Sequence, residues 1–103
     1  MQDRVLSLLG LATKAGKCVS GQLPVEDAIK TESASLVIIA GDASDNTRKH
    51  FSDMCAYRNI PLYTYSDSES LGKCTGKDMR MSIAVTDEGF SEKLLTILQE
   101  VTI

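Results

Sequence analysis

Ser35-Leu36-Val37-Ile38-Ile39-Ala40 is a short, unbroken, β-branched run with no polar alternation. Such a run suits a strand buried on both faces, which requires helices above and below it. The flanking segments offer them. Downstream, the apolar spacing predicts a helix of about 14 residues with Thr47, Phe51, Met54 and Cys55 facing inward. Upstream, Pro24 fits the first turn of a helix, where its missing N–H costs nothing. Val25, Ala28 and Ile29 give that helix a narrow apolar face, and Glu26 and Asp27 are expected in its first turn, at the positive end of the helix dipole.

The same pattern extends to both ends of the chain. Val5, Leu8, Leu9 and Ala12 recur at helical spacing, so 3–13 reads as a helix, with Gly16 as its stop. Lys17 to Ser20 suits a short strand. Leu62-Tyr63-Thr64-Tyr65 after Pro61 and Ser82-Ile83-Ala84-Val85-Thr86 read as two more strands. Between them lies a short helix, with Ser66 and Glu69 at the spacing of a capping box and a stop near Gly72 or Gly76. The last helix carries Phe90, Leu94, Ile97, Leu98 and Val101 on one stripe. Strands separated by helices imply crossover connections. The expected fold is α/β, a single-domain three-layer α/β/α sandwich over residues 1–103. Its four-stranded sheet is expected to be mixed but mostly parallel, the first short strand being free to run antiparallel at an edge.

Composition narrows the function. Lys and Arg number 11 against 14 Asp and Glu, a net charge of −3, which excludes nucleic-acid binding through gross basicity and gives no reason to expect DNA as a partner. No apolar run approaches the roughly 18 residues of a membrane span. Met1-Gln2-Asp3-Arg4 does not open a signal peptide, so a cytoplasmic protein with no membrane partner is expected. Cys18, Cys55 and Cys74 are widely spaced, and His50 is the one histidine, so the sequence offers no metal site. Reduced, metal-free thiols are expected, and no cofactor.

Candidate chemistry is sparse. Gly10 to Cys18 superficially suggests a phosphate-binding loop, but five residues separate its glycines and Cys18 stands where a hydroxyl is needed. His50 lies beside Arg48 and Lys49 and reads as a solvated side chain. Asp42 and Asp45 sit where they would cap or favour the start of the helix that follows the buried strand. No motif argues for an enzyme. The charge distribution says more. Residues 73–80 carry Lys73, Lys77 and Arg80 against Asp78, and residues 1–20 carry Arg4, Lys14 and Lys17 against Asp3, while residues 87–103 hold a local −3. A glycine-punctuated loop bearing Lys73, Lys77 and Arg80 would let cations approach phosphates closely. These cations are expected beside the start of the second helix, on one face with Lys14 or Lys17.

Five segments in register carry a resemblance. They are L-G-L-A-T-K-A-G-K-C-V-S-G (9–21), A-S-L-V-I-I-A-G-D-A-S-D-N-T (34–47), Cys55-Ala-Tyr-Arg-Asn-Ile-Pro, L-G-K-C-T-G-K (71–77) and I-A-V-T-D-E-G-F (83–90). Together they resemble the kink-turn RNA-binding ribosomal proteins of the L7Ae and L30e kind, and within them the small bacterial YlxQ-type branch. The resemblance implies an α/β/α sandwich without catalysis whose partner is structured RNA, ribosomal or another kink-turn RNA. It implies that the start of the second helix, Gly21, Gln22, Leu23 and onward to Asp27, enters a widened RNA groove at sheared G·A pairs. It also implies that the loop Lys73 to Ser82 clasps a flipped-out nucleotide, with Met79 and Met81 as apolar contacts, and that Gly41 and Asp42 support the same surface. Shape and unstacked bases are what proteins read in RNA.

The chain departs from the family's G-x-N-E-x-x-K signature at Leu23, Pro24 and Asp27. Leucine cannot hydrogen-bond a base edge, proline supplies neither acceptor side chain nor backbone donor, and aspartate puts negative charge where a phosphate would lie. The expectation is weak binding to ordinary kink-turn RNA. The alternative is an interaction module that keeps the fold and has exchanged RNA for a protein partner.

Overall fold

The structure is a computed structural model that describes residues 3–101. Nine elements follow one another: α1 (Arg4–Lys14), β1 (Cys18–Ser20), α2 (Gln22–Lys30), β2 (Leu36–Ile39), α3 (Asp45–Tyr57), β3 (Leu62–Thr64), α4 (Ser68–Cys74), β4 (Ser82–Val85) and α5 (Glu88–Val101). The expected sandwich is present. Its sheet has the order β1-β4-β2-β3.

β2 explains the absence of alternation in its sequence. Leu36 and Ile38 pack with Val5, Leu9, Leu71, Leu94 and Leu98 from α1, α4 and α5. Val37 and Ile39 pack with Val25, Ile29, Phe51 and Cys55 from α2 and α3. Both faces are thus apolar, and all four strand residues are buried.

The sheet is mixed as expected, but it is not mostly parallel. β2 pairs with β3 in parallel, whereas β4 runs antiparallel to both β1 and β2. The reason lies in the connection from β3 to β4. β3 ends at Thr64 opposite Ile39, and β4 begins at Ser82, also opposite Ile39. The chain leaves and re-enters the sheet at the same end, so β4 must point the other way. A parallel crossover would have to carry the chain back along the sheet.

Three local expectations are corrected. α2 begins at Gln22, which puts Pro24 in its first turn as expected but leaves no acidic residue there, so Glu26 and Asp27 lie in the second turn. The capping box at Ser66 is displaced by one residue. Gly41 N–H bonds the Ser66 carbonyl at 2.8 Å, Ser66 takes φ 60°, and Asp67 becomes the N-cap, accepting from Ser70 N–H at 2.8 Å. Ser44, not Asp42, caps α3 through Thr47 N–H at 3.1 Å.

The thiols of Cys18, Cys55 and Cys74 are free. Burial pushes Cys18 and Cys55 up to about 11 and raises Cys74 as well. Among the described residues no helix is long and apolar enough to cross a membrane.

Candidate nucleic-acid interface

The ends of β1, β2 and β3 and the start of β4 lie at one end of the sheet, and four junctions converge there. The turn from β1 into α2 is made by Gly21, whose φ of 95° is open to glycine and strained for other residues. Its N–H bonds the Ser82 carbonyl at 3.1 Å, which fixes the start of α2 against β4. With a glycine N-cap, α2 has no side-chain cap. The amides of Gln22 and Leu23 make no hydrogen bond among the described residues, and Pro24 has no N–H to satisfy.

The segment between α4 and β4 folds back over α4. A Cβ on Gly72 would meet the Asp78 carbonyl oxygen at 2.6 Å, so only glycine admits this close approach. A chain of hydrogen bonds then ties the junctions together. The Asp42 carboxylate accepts from Ser68 N–H at 2.8 Å and from the Ser68 hydroxyl at 2.6 Å. The hydroxyl and then the amide of Ser68 hold the Asp42 carboxyl below its ordinary value. Asp42 is thus a second cap on α4, not on α3. The Ser68 carbonyl in turn accepts from Arg80 N–H at 3.0 Å. Finally, the Arg80 guanidinium donates to the Ser20 hydroxyl at 3.1 Å and to the Met79 carbonyl at 2.8 Å.

That chain brings Lys77 and Arg80 to Pro24 at the start of α2. The three residues line a cleft of about 310 Å³, with Thr13 at the end of α1, Ser20 at the end of β1, and Thr75. Among the described residues no carboxylate lines it. Neither cation forms an ion pair among the described residues. Exposed apolar groups accompany this end: Leu23 is 76% exposed, Met79 54% and Met81 39%.

Other expected residues are placed elsewhere. Lys73 faces away from the α2 start. It pairs with Glu69 one turn back on α4 at 3.1 Å and lines a separate groove with Leu6 and Ser7 of α1. Lys14 and Lys17 are exposed and do not line the cleft, although their chain neighbours Thr13 and Cys18 do. Lys17 lies at the far end of β1, where its carbonyl accepts from Thr86 N–H at 2.8 Å. Ser82 is expected to touch a ligand, yet its side chain is buried because β4 is central in the sheet; its hydroxyl has no partner among the described residues, and its carbonyl bonds the Gly21 N–H instead. Gly41 and Asp42 are exposed and act through the start of α4, as described. Asp27 is exposed on α2.

Sequence reasoning missed Ser20, Ser68 and the pairing of His50 with Glu26. His50 is not merely solvated: its Nε2 lies 2.8 Å from the Glu26 carboxylate, and its ring meets Phe51 edge-on at 5.2 Å. Gln22 donates to the same carboxylate oxygen at 3.0 Å. Hydrogen bonds from Gln22 first, and then from His50, hold the Glu26 carboxyl below its ordinary value. No short-range signal marks the His50–Glu26 pair, whose members lie 24 residues apart, whereas the i,i+4 spacing of Gln22 and Glu26 was open to reading in the sequence.

Comparisons with known proteins agree with this architecture. Residues 3–95 match the ribosomal protein L7Ae/L30e/S12e/Gadd45 family. The chain is 43% identical over 91 residues to the RNA-binding protein YlxQ of Bacillus subtilis (strain 168), covering 88% of this chain and 91% of that protein. It is 32% identical over 88 residues to the large ribosomal subunit protein eL30 of Methanospirillum hungatei JF-1, covering 84% and 88%. A solved structure of a protein with unknown function from Bacillus halodurans C superposes with a TM-score of 0.92 at 36% identity, covering 95% of this chain and 99% of that one. The Giardia lamblia 15.5kD RNA binding protein, at 17% identity and a TM-score of 0.80 over 99% and 91%, shares the fold. The named relatives are RNA-binding and ribosomal proteins rather than enzymes. By the extent of these matches, the chain belongs to the ribosomal protein L7Ae/L30e/S12e/Gadd45 family.

Proposed function

We propose that the chain binds structured RNA, without catalysis, and that it recognises a kinked, kink-turn-like element through the end of the sheet where α2 starts. The observation that carries this reading is the cleft in which Lys77 and Arg80 stand beside Pro24 with no carboxylate lining it. Two unpaired cations in a groove free of acids attract a phosphate backbone even though the whole chain is negative. Exposed Leu23, Met79 and Met81 offer apolar surface to unstacked bases. The names of the relatives at 43% and 32% identity support the same partner.

A titration of native protein with a kink-turn RNA and with an unkinked hairpin of equal length tests it. Tighter binding to the kinked RNA is expected. Replacing Lys77 and Arg80 with Ala should weaken binding and lower the salt slope by about one for each lost phosphate contact. Equal affinity for both RNAs, or no effect of the double substitution, removes this reading.

Asp27 favours a second reading, an interaction module without kink-turn binding. It is exposed on α2 and brings negative charge to the proposed face. A phosphate within about 4 Å would be repelled by about 1 kcal/mol in water-like surroundings and about 4 kcal/mol at an effective dielectric of 20. Asp27→Lys should therefore raise RNA affinity. Because Asp27 sits in the second turn of α2, the helix dipole favours it little, and thermal stability should scarcely change. Tight binding by the native chain with no gain from Asp27→Lys would mean that this position does not face the RNA.

A further inference from the structure

Among the described residues, the large apolar side chains that stand exposed fall into groups. Leu23, Met79 and Met81 belong to the proposed RNA face. Tyr57 on α3 lies under the Arg58 guanidinium, 5.2 Å from its ring centre. Leu11 and Val101 remain, on α1 and α5. The start of α1 meets the end of α5, where the Arg4 guanidinium stands 3.7 Å from the Glu100 carboxylate. A groove of about 260 Å³ is lined by Leu8 and Leu11 of α1 and Ile97 of α5, with Arg4 and Ser7. It shares no lining residue with the cleft of Lys77 and Arg80. Val5 and Leu9 of α1 already face the core, so burial within one chain does not account for Leu11. Leu11 lines the groove and is still 58% exposed, so this face carries an apolar ridge beside an apolar hollow.

We propose that this face docks a second copy of the chain, in a weak two-fold dimer with α1 of each copy laid on α5 of the other. The charges select that occupant. The rim carries one cation and one anion side by side, Arg4 at 71% and Glu100 at 59% exposure, in a loose pair. Their charges cancel, so a phosphate backbone gains nothing here. A different protein would need an anion and a cation in the reverse order beside its own apolar ridge. A second copy, turned about a two-fold axis that runs along the groove between α1 and α5, has that order by symmetry. Each Arg4 then comes against the Glu100 of the other copy, and Leu8 and Leu11 come over its Ile97. Two short helices make a small face, below the roughly 1,200 Å² in total that stable complexes bury, so the association is weak and reversible. The proposal stands apart from the RNA reading.

Sedimentation equilibrium of the native full chain, from about 10 µM to about 1 mM, tests it. The mass should rise with concentration from one chain toward two. Leu11→Glu, made on an exposed side chain, should raise the dissociation constant about tenfold or more, while its thermal melt in dilute solution matches the native one. A charge exchange reads the geometry. Arg4→Glu alone and Glu100→Arg alone each set like charges against each other across the axis, and each should dimerise about three- to tenfold more weakly. Mixed in equal amounts, the two variants set opposite charges against each other at both places, and the mixture should dimerise as native protein does. The pair within each chain stays like-charged in the mixture, so recovery there reports contacts between copies. A native chain that keeps the mass of one chain at about 1 mM overturns the proposal and leaves the groove to a different protein. A dimer indifferent to Leu11→Glu overturns it by placing the interface elsewhere. A mixture no stronger than its separate components overturns the two-fold pairing of Arg4 with Glu100.

Discussion

At the end of the sheet where β2 and β3 finish, the junctions are held by side chains from distant parts of the chain. Asp42 reaches Ser68, and Arg80 reaches Ser20 across sixty positions. At the opposite end the turns close locally, and the side-chain tie found there among the described residues between distant segments is an uncharged one, the Ser35 hydroxyl to the Val85 carbonyl at 3.2 Å and to the Ser91 hydroxyl at 2.8 Å. Ser33 N–H bonds the Ala28 carbonyl, and Ile60 N–H bonds the Cys55 carbonyl, each five residues back. Glu32 and Asn59 take φ of 58° and 57° there, beside a polar groove of about 370 Å³ that also holds Arg58 and Glu88. The charges differ too. Cations stand without carboxylates in the cleft at the first end, whereas Glu32 and Glu88 line the groove at the second. Local backbone turns suffice to reverse a chain. Long-range side-chain bonds occur at both ends, but at the first they hold a cation, Arg80, beside another element, and that is the end the proposed function uses.

The contrast can be broken at its base by removing what both ends share. Ile38 is fully buried in the central strand. Ile38→Ala should cost about 2–5 kcal/mol, read by denaturant unfolding, and should loosen both ends together. A loss below about 1 kcal/mol would mean that the core collapses around the cavity.

Asp42→Ala should separate the two ends. It strips two hydrogen bonds from the start of α4. The Ser68 amide should then exchange with solvent about tenfold faster or more, and RNA affinity should fall, while amides at Ser33 and Ile60 keep their protection. Uniform loss of protection would show that the ends are not independent.

Alkaline pH should act on the first end alone. The Tyr65 hydroxyl donates to Asp3 at 2.8 Å, and burial first, then that bond, pushes its pKa up to about 12 from 10.0. The neutral phenol is therefore the form that the fold favours. Its contribution is complete below pH 10 and is lost as pH rises through about 12. Tyr65→Phe should flatten stability over that window, as seen in thermal melts at stepped pH.

The smallest effect belongs to the second end. Glu32 sits in the left-handed region that glycine adopts without strain. Glu32→Gly should gain about 0.5 kcal/mol, strain relief exceeding added chain entropy, with RNA affinity unchanged.

The sequence made the local features legible and left the distant ones hidden. Val37 to Ile39 announced a doubly covered strand because the absence of polar alternation is a property of the run itself. Strand direction was not legible, since it depends on where the β3–β4 connection re-enters the sheet. The cations Lys77 and Arg80 were visible as a charged loop near glycines, but Lys73, equally charged, turns toward α1 because of its phase on α4. Ser20 and Ser68 carried no mark, as a serine that anchors a guanidinium sixty residues away looks like any other. Asp42 was read as a cap on the adjacent helix, and it caps another.

The central position of β4 has a consequence for the order in which the molecule becomes itself. β1 pairs with β4 alone, yet β4 is the last strand in the chain. A ribosome that has released residues up to 81 has exposed β1 with no neighbour to dock on, and the Ser82 carbonyl that receives Gly21 has not yet arrived. Until β4 arrives, the start of α2 has no strand to be fixed against, and the proposed RNA face is incomplete. Sheet closure, the setting of α2 and the arrival of the last strand coincide, so synthesis itself times the appearance of the face.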